Sequence, residues 1–163
     1  LSRPELETNI TEILTTVDMA NDIIKNLKTW MAPKSVPSSL SVITSKSYLE
    51  YYPKGTVLII SPWNFPFQLC IAPLLYSIAA GNTAIIKPSE MTPATSKLVY
   101  EMINELFEQK EVCVIEGAVE ESQQLLELPF NHIFFTGSTS IGKKVVQASS
   151  KHLSSFTLEL GGK

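Results

Sequence analysis

The residue types best suited to chemistry fall on one short stretch, TVLIISPWNFP, Thr56 to Pro66. A continuous apolar run, Val57 to Ile60, predicts a strand buried on both faces. It breaks at Ser61 and Pro62, and Pro66 opens a second apolar segment that ends near Gly81. Strand, break and helix in that order put Trp63, Asn64 and Phe65 on a loop at the carboxyl end of a strand, where open α/β sheets bind their ligands. A Trp beside an Asn on a proline-bracketed loop offers a flat apolar wall and an amide NH₂ donor suited to a developing oxyanion. A plainer reading also fits, with Asn64 capping the following helix and Trp63 in the core.

Three further loops have the same placement. In IIKPSE, Lys87 ends a strand candidate and Glu90 lies on the turn after it, so a cation and a carboxylate could hold a ribose diol from two sides; the alternative is a surface ion pair of little worth. In FFTGSTSIG, Phe134 to Gly142, a strand runs into Gly137, Ser138, Thr139 and Ser140 and then a helix start. Free backbone N–H groups and hydroxyls there make an anion site suited to a pyrophosphate, or simply a capped helix. The spacing is neither G-x-G-x-x-G nor a Walker A motif. In LELGGK, Leu158 to Lys163, Glu159 interrupts an apolar strand and precedes two glycines that let backbone approach a ligand. Desolvation there would raise its pKa and make it a general base, unless it faces outward with Thr157, which shares its parity.

The elements that must position these loops follow from periodicity. Strand candidates at 56–60, 83–87, 111–115, 131–135 and 155–160 alternate with helix candidates at 66–80, 93–109, 119–127 and 139–150, the signature of an α/β fold with a Rossmann-like doubly wound parallel sheet. Gly81 is placed to end the first of these helices, with Thr92 as N-cap and Pro93 in the first turn of the next. In that next helix Ala94, Leu98, Met102, Ile103 and Leu106 form the stripe expected to face the sheet.

Ahead of the sheet, Leu6, Ile10, Ile13, Leu14, Val17, Ile24, Leu27 and Trp30 recur at three- and four-residue steps and predict a long amphipathic helix from Pro4 to about Met31. Its polar face is expected to carry Glu5, Glu7, Glu12, Asp18, Asp22, Lys25 and Lys28, acid leading and base trailing as the helix dipole favours. Residues 32–55, rich in proline and serine, read as a connection with one exposed strand or arm around Leu40 to Ile43.

Composition excludes several classes. Thirteen basic against 16 acidic residues leave a net charge of −3 without blocks of like charge, so nothing favours nucleic acid. Cys70 and Cys113 lie in apolar runs without CxxC or disulfide-framework spacing and read as core thiols of a reducing compartment, which points to a cytoplasmic or cytosol-facing protein rather than a secreted one. No signal peptide opens the chain and no uncharged apolar run reaches membrane-spanning length. The chain opens directly into helical sequence and stops at GGK after a strand candidate, as a piece of a longer protein would.

Taken together, PWNFP at 62–66, KPSE at 87–90, FTGSTSIG at 135–142 and ELGGK at 159–163 resemble, in order and spacing, the NAD(P)-dependent aldehyde dehydrogenase superfamily. KNLKTWM, PWNFPFQL and VIEGAVEESQQLLELPFNHIFFTGS are most similar to the branch of fatty aldehyde dehydrogenases and dimeric aldehyde dehydrogenases. The resemblance implies the cofactor-binding part of such an enzyme: residues 1–55 an N-terminal helix and connecting arm, 56–163 the NAD(P)-binding domain, and a catalytic domain beyond residue 163. It implies Asn64 as the oxyanion-hole amide and Glu159 as the general base that activates the nucleophile or the deacylating water. Lys87 and Glu90 match the pair that binds the adenosine ribose, and Gly137 and Ser138 the loop against the pyrophosphate, with Gly142 keeping the first helical turn open. Ser61, Pro62, Trp63, Gly117, Phe135 and Thr136 are implied cofactor contacts, and Leu160 and Gly161 are implied neighbours of the nicotinamide.

In the mechanism this resemblance implies, a cysteine thiolate attacks the aldehyde, hydride leaves to the nicotinamide, and water hydrolyses the thioester. The family's nucleophilic cysteine lies past Lys163 and neither Cys70 nor Cys113 matches it, so the chain alone should be inactive. Trp63, Phe65 and Phe67 as apolar walls favour an aliphatic or aromatic aldehyde, in keeping with a long-chain fatty aldehyde. NAD is the expected cofactor, with NADP as the alternative, since Glu90 repels a 2′-phosphate. A homodimer is implied for the full-length protein, and any membrane attachment would run through a C-terminal tail. The competing readings are an acylating or reductive relative and a non-catalytic protein that keeps the fold.

Overall fold

The computed structural model describes every residue except Ser2, Ile43 and Lys163. One helix (α1) runs over residues 5–31, with α-helical Glu5–Thr8, a π-helical segment Asn9–Leu14 and α-helical Thr15–Met31 following without a break. Two short strands, β1 (Lys34–Val36) and β2 (Ser47–Leu49), pair antiparallel as a hairpin arm. The extended segments thus flank the stretch expected to be extended, whose residues Leu40–Val42 form a 3₁₀ turn and whose Ile43 lies outside the described residues.

The main sheet consists of β3 (Thr56–Ile60), β4 (Thr83–Lys87), β5 (Val112–Val114), β6 (His132–Gly137) and β7 (Ser155–Leu160), connected by α2 (Gln68–Ala79), α3 (Pro93–Leu106), α4 (Val119–Leu126) and α5 (Thr139–Ser149). All strands are parallel, in the order β5-β4-β3-β6-β7. The strand order reverses between β3 and β6, which makes their carboxyl ends the switch-point crevice of a doubly wound sheet. Strand alternation builds two cores. Val57, Ile59 and Ile86 pack under Cys70, Leu74, Val99 and Ile103 of α2 and α3, while Leu58, Ile133 and Phe135 meet Leu125 and Val145 of α4 and α5 on the other face.

Gly81 ends α2 with φ +80°, as its position predicted. Thr92 is the N-cap of α3, but its hydroxyl donates to the Ser89 carbonyl instead of capping.

One helix turns a different face inward from the one its apolar spacing suggested, and another buries only part of the expected face. In α1 the stripe Leu6, Ile10, Ile13, Leu14, Val17 and Ile24 is exposed, and the buried residues are Glu12, Thr16 and Ile23, which face α2. In α3, Met102 and Ile103 of the expected stripe pack on the core beside Ser96 and Val99, while Ala94, Leu98 and Leu106 are exposed. Apolar spacing reveals that a helix has an apolar side; which side packs is set by the neighbour it meets. Among the described residues no helix is long and apolar enough to cross a membrane.

Candidate active site at the strand carboxyl edge

A cleft of about 1040 Å³ opens along the β3/β6 crevice. Pro62, Trp63 and Asn64 from the loop after β3 line it, with Thr136, Gly137 and Ser138 from the end of β6 and Glu159, Leu160 and Gly161 from the end of β7. Three of the four loops named from sequence therefore meet in one cavity. Register explains the convergence, because Thr136 pairs with Glu159 and Gly137 with Leu160 across parallel strands.

Neither plain reading of the first loop survives. Asn64 is exposed to the cleft, and α2 begins at Gln68, with Phe67 at its N-cap position and no cap from its own neighbourhood. Trp63 is 48% exposed rather than core. Ser61 is committed elsewhere: it is buried, its hydroxyl donates to the Leu69 carbonyl at 3.0 Å and its N–H to Lys87 O at 3.1 Å. Of the apolar walls expected here, only Trp63 lines the cleft. Phe65 lies under the Arg3 guanidinium, 4.8 Å from its ring centroid, and Phe67 packs against the core; Leu69, Pro73 and Tyr76 take their place in the lining.

The helix after Phe67 is capped from a distant part of the chain. The Phe67 and Gln68 N–H groups donate to Glu12 Oε2 at 2.8 and 3.3 Å, and Arg3 Nη1 donates to Glu12 Oε1 at 3.0 Å. Glu12, expected on the solvated face of α1, is 4% exposed, because its charge is met by two backbone donors and a guanidinium. Arg3 Nη2 also donates to the Asn64 carbonyl. Arg3 and Glu12 escaped the sequence reading, and the one signal pointing to them was the lack of a capping residue at Phe67.

The second loop forms its own pocket of about 580 Å³, lined by Glu90, Ser96, Gly117 and the acidic residues Glu116, Glu120 and Glu121. Lys87 and Glu90 are not a surface pair: Lys87 is 1% exposed, its Nζ donates to the Pro88 carbonyl at 2.7 Å and stands 3.7 Å from Glu90. Burial lowers the Lys87 pKa, opposed by the nearby Glu90 and Glu121. The Ala118 N–H, donating to Glu121 at 2.6 Å, holds that carboxyl below its usual range.

At the start of α5, Ser138 accepts from the Ile141 N–H at 3.4 Å and shares a hydrogen bond with Ser140. Gly142 lets α5 approach β7 closely, since a Cβ there would stand 2.9 Å from the Leu160 side chain and push it aside. Phe135 departs from its expected cofactor role: it is 5% exposed and belongs to the core on the opposite face, the neighbouring Thr136 taking the cleft side. The Thr136 hydroxyl is buried and has no hydrogen-bond partner among the described residues. Glu159 faces the cleft, as a site residue should, but it is exposed, so the desolvation expected for it is not supplied within these residues.

Cys70 is a core thiol, while Cys113 is half-buried in β5. Burial pushes Cys70 up to about 11, opposed by the neighbouring Ser61 and the charge of Lys87, and burial raises Cys113 as well.

A parallel doubly wound sheet with its polar groups gathered at the switch point defines an α/β protein of the class that binds its ligands in that crevice. The model of the aldehyde dehydrogenase family matches residues 2–163, and the chain belongs to that family. It is 48% identical over 163 residues to the 4,4'-diaponeurosporen-aldehyde dehydrogenase of Staphylococcus aureus, covering all of this chain and 36% of the relative. It matches the substrate-bound structure of Staphylococcus aureus AldH with a TM-score of 0.94 at 50% identity, over 96% of this chain and 34% of that one. The NAD+ complex of an aldehyde dehydrogenase from Bacillus cereus matches with a TM-score of 0.86 at 27% identity, over 99% of this chain and 33% of that one. The chain therefore spans about a third of the length of these relatives.

Proposed function

We propose that the protein oxidises an aldehyde to a carboxylic acid with a nicotinamide dinucleotide as hydride acceptor, and that residues 56–163 form the part that holds this cofactor. The observation that carries the reading is the single cleft in which the Asn64 amide, the Glu159 carboxylate and the loop at Gly137 and Ser138 converge. The unpartnered Thr136 hydroxyl in the same wall suits a polar ligand. When bound, the cofactor supplies the hydride-accepting ring.

The chain's own groups have separate tasks. Asn64 donates its amide N–H toward the oxygen that gains charge as the aldehyde carbon becomes tetrahedral. Glu159 takes the proton of the attacking group. Gly137, Ser138 and the first N–H groups of α5 receive the pyrophosphate at the positive end of a helix whose first turn holds no acidic residue. Lys87 fixes the turn that carries Glu90, and Glu90 with Gly117 receives the adenosine ribose. The ring of Glu90, Glu116, Glu120 and Glu121 favours NAD over NADP, since a 2′-phosphate would meet four carboxylates.

Trp63, Leu69, Pro73 and Tyr76 give the cleft an apolar wall suited to a long aliphatic aldehyde. Neither Cys70 nor Cys113 serves as nucleophile, because a thiol with a raised pKa is little ionised; the attacking cysteine comes from the remainder of the protein, and this chain alone is inactive. The exposed hairpin arm and the exposed apolar stripe of α1 suit subunit contact in a homodimer of the full-length protein.

The test is the rate of NADH formation by the full-length protein with NAD+ and a series of aliphatic aldehydes. Turnover that rises with aldehyde chain length and falls roughly 10²–10⁴-fold in Glu159→Gln, with NAD+ affinity intact, is the expected outcome. No NADH with any aldehyde, or full activity in Glu159→Gln, would contradict it.

A further inference from the structure

Glu12 belongs to α1 and Arg3 to the segment just ahead of it, both outside the sheet that forms the cleft, yet both end on the loop that presents Asn64. Glu12 is an unusual residue to bury: among the described residues of α1 it is the one buried carboxylate, 4% exposed, and it sits in the π-helical segment. Its Oε2 accepts the two free N–H groups at the start of α2, Phe67 at 2.8 Å and Gln68 at 3.3 Å, where α2 has no cap of its own. Its Oε1 accepts from Arg3 Nη1 at 3.0 Å.

The Arg3 guanidinium then reaches the other side of the same loop. Nη2 donates to the carbonyl of Asn64 itself, the plane covers Phe65, and Nε stands 3.2 Å from Glu7. The backbone that follows the Asn64 side chain, its own carbonyl and the N–H groups of Phe67 and Gln68, is thereby tied to α1 and the residue just ahead of it. The Asn64 amide is left exposed to the cleft with its main chain fixed behind it.

We infer that Arg3 and Glu12 are a positioning pair for the Asn64 amide, so that α1 sets the geometry of the oxyanion donor without touching substrate or cofactor. The inference rests on the oxyanion reading of Asn64. Its physical basis is that electrostatic stabilisation depends on the donor's placement before the reaction, and a shift of about 1 Å in such a group can cost about 10²-fold in rate. A buried carboxylate that only stabilised the fold would have no reason to share its guanidinium with the carbonyl of the one loop residue that presents an amide to the cleft.

The experiment is a mutant cycle in the full-length protein: Arg3→Ala, Glu12→Gln and Asn64→Ala singly, and each of the first two combined with Asn64→Ala. Read out are kcat, KM for aldehyde, Kd for NAD+ by direct titration, and hydrogen exchange at the Phe67 and Gln68 amides. Arg3→Ala and Glu12→Gln are expected to lower kcat roughly 10- to 100-fold with NAD+ affinity unchanged. In the Asn64→Ala background the same changes are expected to cost less than about twofold, because the group they place is gone. Additive losses in kcat, or a loss confined to NAD+ affinity, would overturn the pairing.

The exchange measurement separates this inference from the reading beneath it. If Asn64→Ala leaves kcat intact, the oxyanion role fails, and the positioning of that amide with it. If Asn64→Ala lowers kcat but the Phe67 and Gln68 amides stay equally protected in Glu12→Gln and in Glu12→Ala, the oxyanion role stands and the positioning pair alone falls.

Discussion

Two helices start beside the same cleft and are prepared in opposite ways. The start of α2 is closed: the carboxylate of Glu12 fills it from another element, with Arg3 alongside to balance the charge. The start of α5 is open: Ser138 is its N-cap, the hydrogen bond it accepts is 3.4 Å long, and no acidic residue occupies the first turn. Both ends carry the partial positive charge of a helix dipole. At α2 that charge is already answered from inside the protein, so the loop before it serves as a rigid frame for a side chain. At α5 it is left for a ligand. The position of a helix start at a sheet edge does not decide whether it binds an anion; whether an internal carboxylate has taken the place does.

The division can be broken from either side. The largest effect is expected at the closed start, where Asn64→Ala should lower kcat roughly ten- to a thousandfold while Kd for NAD+ stays where it was; steady-state kinetics with a parallel binding titration would show it, and an equal loss in both would erase the distinction. Next comes the conversion of the open start into the closed kind. Ser138→Asp gives α5 its own carboxylate, which should hold or raise thermal stability through the dipole while weakening NAD+ about tenfold by repulsion. Unchanged NAD+ affinity in a stable variant would mean that the pyrophosphate lies elsewhere. The smallest effect concerns the second pocket: Glu90→Gln should shift the ratio of kcat/KM for NAD+ and NADP+ a few-fold toward NADP+, since three other carboxylates remain around that pocket.

Much of this was legible in the chain itself. The alternation of short β-rich runs with amphipathic helices marks every strand of the main sheet, and each loop of interest shows as an apolar run that stops at Pro, Gly or Ser. That these loops share one edge then follows from the general rule for parallel sheets, while the strand order is seen only in the structure. What the chain conceals are relations set by packing. Phe135 and Thr136 are adjacent, and only the side of the sheet on which each falls separates a core ring from a cleft hydroxyl. The exposed apolar stripe of α1 and the exposed Leu98 and Leu106 of α3 arise in the same way, since helical spacing is silent about which neighbour a helix will meet. Glu12 was hidden more deeply: its partners Phe67 and Gln68 lie 55 and 56 residues along the chain, and Arg3 and Asn64 are separated by 61. No local pattern marks a carboxylate that will be buried to cap someone else's helix.

The measurement that bears most directly on the account is a structure of the full-length protein with NAD+ bound. The pyrophosphate is predicted to lie against Gly137, Ser138 and the first turn of α5, with the Phe67 and Gln68 N–H groups still held by Glu12 and the Asn64 amide free beside the nicotinamide. A pyrophosphate seated on the start of α2, with Glu12 displaced from it, would contradict the division of labour between the two helix starts.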